Sequence, residues 1–72
     1  MEYVIVTYPT NRLVFVDGEK GGTTNAVLRV EAGTHEFDLG SRKNYTPDSR
    51  AVGIKGTTLF NPATIAFAKI ND

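Results

Sequence analysis

His35 is the only side chain in this sequence whose ordinary pKa lies near neutrality. As a general base it would need a nucleophile, Ser41 or Ser49, and an orienting carboxylate, Asp38 or Asp48. Those residues occur, but no spacing joins them into a constellation, and general acid–base work needs convergent titratable groups. We therefore expect no catalytic residue and no enzyme. Asp17 and Glu19 open like a calcium loop, but the oxygen ligands that such a loop needs further along do not follow. Asp17 reads instead as a turn former that caps a nearby amide. Gly18, Lys20, Gly21, Gly22 and Thr23 have the composition of a phosphate cradle without its order: the lysine precedes the glycine pair, and a strand follows instead of a helix. No metal and no cofactor is expected.

Two groups of residues suit binding better than chemistry. Arg42, Lys43 and Arg50 surround Tyr45. Cations beside an aromatic face fit sugar rings or bases, while a solvated loop with Tyr45 anchored in a core is the competing reading. The second group is Ile65 and Phe67 in the stretch 63–70, which is apolar on alternate positions of both faces. A strand of that pattern is either central or covered by something else. If it is an edge, it invites another strand, so weak self-association through 63–70 is expected.

The elements that must position these residues are strands. Val, Ile, Thr, Tyr and Phe recur in short runs bounded by Gly, Asn, Asp and Pro. The expected strands are 2–7, 12–17, 25–30, 34–39, 50–55 and 63–70, with a short one at 58–60. Alternation turns Val14 with Val16, Leu28 with Val30, Phe37 with Leu39, and Val52 with Ile54 toward a core. Asp17-Gly18 supplies the positive φ of a tight hairpin. Gly21-Gly22 can open a bulge or a crossover. Glu31 to Thr34 and Lys55 to Thr57 read as further glycine turns. On this reading 12–17 pairs with 25–30, and 25–30 with 34–39. The expected fold is a small all-β sandwich of six to seven short strands, forming a single domain over 1–72.

Composition narrows the partners. The 72 residues leave room for one thin core, since a chain of this size buries only about 60% of its unfolded surface. There is no cysteine, so disulfides and thiolate metal sites are excluded. The net charge is zero but uneven: residues 1–40 carry a net −3 and residues 41–72 a net +3. Nucleic-acid binders show a basic excess that this chain lacks, and no nucleic acid is expected. No apolar run approaches the roughly 20 residues of a membrane span. The first residues also lack the basic and apolar regions of a secretory signal. The expectation is a cytoplasmic protein if the chain is complete.

The order of these motifs resembles the PEGA domains of prokaryotic surface and envelope proteins, over roughly residues 9–70. Pro9 is followed by the strand Val14 to Val16 and by Asp17-Gly18. Gly22-Thr23-Thr24 comes next, with Asn25 where the family has proline. Ala32-Gly33-Thr34-His35 then matches the family's Gly-x-His turn, and Asn44-Tyr45 stands in place of Gly-Tyr. The resemblance implies a β-sandwich of transthyretin-like or immunoglobulin-like kind without catalytic machinery. It implies that His35 opens a strand, packs its ring and bonds a backbone carbonyl. If the chain is excised from a longer one, it implies the cell envelope or surface. The implied function is a binding or scaffolding module that contacts protein or cell-envelope carbohydrate through a sheet edge or loops. The alternative is the sensor part of a larger envelope enzyme or kinase.

Overall fold

Strand and turn chemistry accounts for the elements of the structure, a computed structural model that describes residues 1–70. Among the described residues the strands are β1 (Glu2–Thr7), β2 (Leu13–Val16), β3 (Glu19–Thr23), β4 (Val27–Val30), β5 (Gly33–Asp38), β6 (Tyr45–Thr46), β7 (Arg50–Ile54), β8 (Ala63–Ala66) and β9 (Ala68–Lys69). One sheet has the order β4-β1-β8, with β8 parallel to β1. The other is antiparallel in the order β3-β2-β5-β7. A two-stranded ladder, β6-β9, closes one end. The fold is the expected all-β sandwich, with more and shorter strands than expected.

The core is built from alternate residues, as the pleat requires. Val4, Val6, Leu28, Val30 and Ile65 come from one sheet, and Val14, Phe37 and Ile54 from the other. Tyr8, Leu39, Tyr45 and Phe67 fill the end beneath β6-β9. Burying a side chain of this kind contributes about 1.5–3 kcal/mol, and a core this small makes each one count.

The expected pairings are corrected. Residues 12–17 do not pair with 25–30. They form a hairpin with β3 and join β5 on their other side. Residues 25–30 do not pair with 34–39, because β4 pairs with β1 in the opposite sheet. Glu31-Ala32 is thus a crossover between sheets and not a hairpin loop. The Asp17-Gly18 turn is as expected, with φ of 53° and 85°, the pair of positive values that a type I′ hairpin needs. Gly21 is the extra residue of a bulge opposite Val14 and Phe15. A Cβ there would stand 2.7 Å from Val16 Cγ2, so only glycine fits.

The stretch expected as one strand, 63–70, breaks at Phe67. β8 lies at the edge of the three-stranded sheet, and β9 turns away to pair with β6. Residues 58–60 are not a strand. Thr58 and Asn61 exchange backbone hydrogen bonds of 3.3 and 3.0 Å, with Leu59 and Phe60 at the turn between them.

Candidate functional site

One residue organises the end of the sandwich where β1 finishes. Thr24, buried at 2% exposure, fixes the approach to β2: its Oγ1 accepts from Arg12 N at 2.8 Å and donates to Thr10 O at 2.8 Å. Asn25, at a φ of 64°, uses its carboxamide as a substitute strand. Oδ1 accepts from Tyr8 N, and Nδ2 donates to Tyr8 O. The Arg12 side chain is thereby aimed inward, against the rings of Tyr8 and Tyr45, at 5.6 and 5.0 Å from their centroids.

The loop after β5 wraps this guanidinium. Nη2 donates to the carbonyl oxygens of Leu39, Ser41 and Arg42, at 3.3, 2.7 and 3.1 Å. Nη1 donates to Asn44 Oδ1 at 2.6 Å. Arg42 adopts a φ of 64° and Gly40 one of 80°, which curl the loop around the cation. Tyr45 closes the arrangement from within: its hydroxyl accepts from Leu39 N and donates to Gly40 O at 2.8 Å. The outer result is a cleft walled by Arg12, Asn11, Asn44, Arg42 and Lys69.

A family model described as the PEGA domain matches residues 1–61. The chain belongs to the PEGA domain family. No curated protein and no solved structure matches it. PEGA domains are a non-catalytic family.

His35 has both ring nitrogens occupied. Nδ1 lies 2.6 Å from Asp17 Oδ2 and Nε2 lies 2.6 Å from the Glu31 carbonyl. Both partners are acceptors, so the contacts are both satisfied when the ring is protonated. Its pKa is raised, first by the Asp17 hydrogen bond and then by the Glu31 carbonyl. The Asp17 carboxyl is lowered, first by the Glu36 backbone N–H at 2.9 Å and then by His35. In the protonated form no nitrogen is left to accept a proton from a nucleophile. Ser49 donates to Glu36, not to the histidine. The His35 ring also meets Phe37 edge-on. The glycine-rich segment 18–23 runs along the edge strand β3, not into a helix.

The residues singled out from sequence are placed as follows. Arg42 and Lys43 stand on the loop that holds Arg12. Tyr45 is fully buried, with Arg12 and Lys43 over its ring and Tyr8 and Phe67 edge-on against it. It anchors the loop and offers no free face to a sugar. Arg50 lies apart on β7, in register with Phe37. Ile65 and Phe67 are core residues, exposed to only 1% and 5%, so their side chains cannot fill a partner's surface as expected. Sequence reasoning missed Arg12, Tyr8, Asn44 and Lys69. The one local trace was the Asn44-Tyr45 pair; nothing near Arg12 announces contacts about thirty residues downstream.

At the opposite end, Thr57 ties the connection from β7 to β8 onto β1. Its Oγ1 accepts from Tyr3 N at 2.7 Å, and its N–H and hydroxyl donate to Glu2 Oε1. From that anchored base the Leu59-Phe60 turn projects, with Phe60 exposed to 96%.

Proposed function

We propose that this PEGA domain is a non-catalytic interaction module of a prokaryotic surface or envelope protein, and that its partner is a protein. The observation that carries this reading is Phe60, an aromatic ring held in solvent on a turn closed by two backbone hydrogen bonds. Rigid exposed aromatics serve as anchors, because little conformational freedom is left to lose when a pocket closes on them. A carbohydrate partner is less well served, since the Tyr45 ring has no free face. Strand addition at the edge strand β8 would add a weaker contact, also open to a second copy of the chain. That edge is four residues long and follows Pro62, which keeps it short.

Photo-cross-linking from a benzoylphenylalanine at position 60, in the source cells, tests the reading. One dominant protein adduct is expected, suppressed by excess unlabelled domain but not by its Phe60→Ser variant. Adducts that neither competitor affects would overturn it. Sedimentation at millimolar concentration tests the β8 edge: a strict monomer with protected amides along 63–66 removes that contact.

A further inference from the structure

We infer that the cleft bounded by Asn11, Arg12, Arg42, Asn44 and Lys69 binds an oxyanion, a carboxylate or phosphate group carried by a ligand. It measures about 270 Å³ and lies at the end of the molecule away from Phe60, so it stands independently of the protein contact proposed above.

The argument is an inventory of donors and acceptors. Three cations line the cleft, and among the described residues none of them is paired with a carboxylate; the ion pair there is His35 with Asp17, at the other end. Several of the acceptors nearby are already used. Asn44 Oδ1 takes Arg12 Nη1, and the Asn44 carbonyl takes Ile70 N and the Tyr8 hydroxyl. The Thr10 carbonyl takes Thr24 Oγ1. Asn11 Oδ1 faces Asn25 Nδ2. Fixing each carboxamide by its oxygen leaves its NH₂ as the group with unused capacity. Arg12 likewise keeps Nε–H and one hydrogen of Nη1 without an acceptor among the described residues.

What the cleft offers is therefore positive charge and N–H donors, of which Arg12 and Asn44 are held in place before any ligand arrives. Donors aimed at a charged acceptor make the stronger class of hydrogen bond. A neutral sugar would bring no charge to meet the three cations of the lining and is less well matched. The Arg12 fork is restrained, because its Nη2 is held by three carbonyls and it packs against the rings of Tyr8 and Tyr45.

Titration of the ¹⁵N-labelled chain with sodium phosphate, sodium glucuronate and glucose, at ionic strength held constant with chloride, tests the site. Saturable shifts are expected at the side-chain amides of Asn11 and Asn44 and at Arg12 Nε–H with one or both anions, and none with glucose. The stronger anion identifies the source as phosphate or carboxylate. The Arg42→Glu, Lys69→Glu double variant should bind at least about tenfold more weakly, a loss of about 1.4 kcal/mol, while keeping the melting temperature. If it unfolds, Arg42→Asn with Lys69→Gln replaces it, with a loss of the same sign. No saturable shift with either anion, an equal response to glucose, or undiminished binding by the folded variant would overturn the assignment.

Discussion

The two ends of the sandwich are each closed by one cation that clasps loop carbonyls, and the two clasps differ in kind. At the β6-β9 end Arg12 holds the carbonyls of Leu39, Ser41 and Arg42 and packs against two tyrosine rings. At the other end His35 bridges the Glu31 carbonyl of the crossover and the Asp17 carboxylate of the hairpin turn. Arginine stays charged at any pH a protein survives, whereas the histidine clasp needs a proton. One end is thus closed permanently and the other conditionally. The permanent end is the one that builds the donor-lined cleft.

Removing the permanent clasp should have the largest effect. Arg12→Met is expected to destabilise by about 2–4 kcal/mol, since it removes the guanidinium donors from the Leu39, Ser41 and Arg42 carbonyls and from Asn44 Oδ1 and removes two ring contacts. In a domain of this size that lowers the melting temperature by roughly 10 °C or more. Arg12→Lys should recover little, because an ammonium cannot fork to several carbonyls. A melting temperature within two degrees of the parent for Arg12→Met would show that the loop closes without its cation.

The next effect tests the conditional end through its backbone. Gly33 follows the crossover at a φ of 129° and has no atom within 4 Å of an added Cβ. Gly33→Val therefore costs backbone strain and no clash, about 1–3 kcal/mol. Thermal melts of Gly33→Ala and Gly33→Val should agree within about 1 kcal/mol if strain alone acts. A valine far worse than alanine would point to crowding that the structure does not show.

What was legible beforehand follows the same division. Alternation identified Leu28, Val30, Phe37 and Ile54 as inward-facing, because period-two burial is a local signal. It could not say which sheet each strand joins, so the crossover at Glu31 was read as a hairpin. The chemistry of Gly33 marks a change of direction, and a hairpin and a crossover share it. β3 was read as loop because Glu19-Lys20-Gly21-Gly22-Thr23 has no apolar face to alternate; it is an exposed edge. The family resemblance was legible from five short motifs in order. The Arg12 cleft was not, since its parts come from four separate segments and meet only after folding. Tyr45 was noticed for its neighbours Arg42 and Lys43, yet its partner across the core is Arg12.

Titration should then separate the ends. The folded pKa of His35 is raised above its ordinary 6.5, so the clasp's contribution is complete below about pH 6.5 and is lost as pH rises through the folded value. The Asp17 pKa is lowered, so its contribution is present above about pH 3.8 and is lost as pH falls through its folded value. The clasp is strongest between the two. Melting temperature should fall between mildly acid and mildly alkaline pH, and His35→Gln should remove that part of the slope. Arg12→Met should keep the slope at a lower stability. Two imidazole N–H resonances in the ¹⁵N spectrum at mildly acid pH would confirm the doubly bonded imidazolium. A His35 that titrates at or below its ordinary value would break the comparison.

Salt should give the smallest effect and the sharpest contrast. The His35–Asp17 contact joins two formal charges at 2.6 Å, but Asp17 is 54% exposed, so ions and water reach it. Raising the ionic strength from about 0.01 M to 1 M shortens the screening length from about 30 Å to about 3 Å. The stability difference between the parent and His35→Gln, measured at mildly acid pH, should therefore shrink with added sodium chloride. Arg12 bonds to carbonyl dipoles, a carboxamide and ring faces, with no opposite formal charge paired to it among the described residues, and packs against two buried tyrosines. The difference between the parent and Arg12→Met should be nearly independent of salt. The useful quantity is the change in these two differences, because salt effects common to all variants cancel. If the Arg12 difference shrinks as much as the His35 difference, then the guanidinium acts as a surface charge and not as the covered fork of a loop. In that case its donors would also be too solvated to hold an anion.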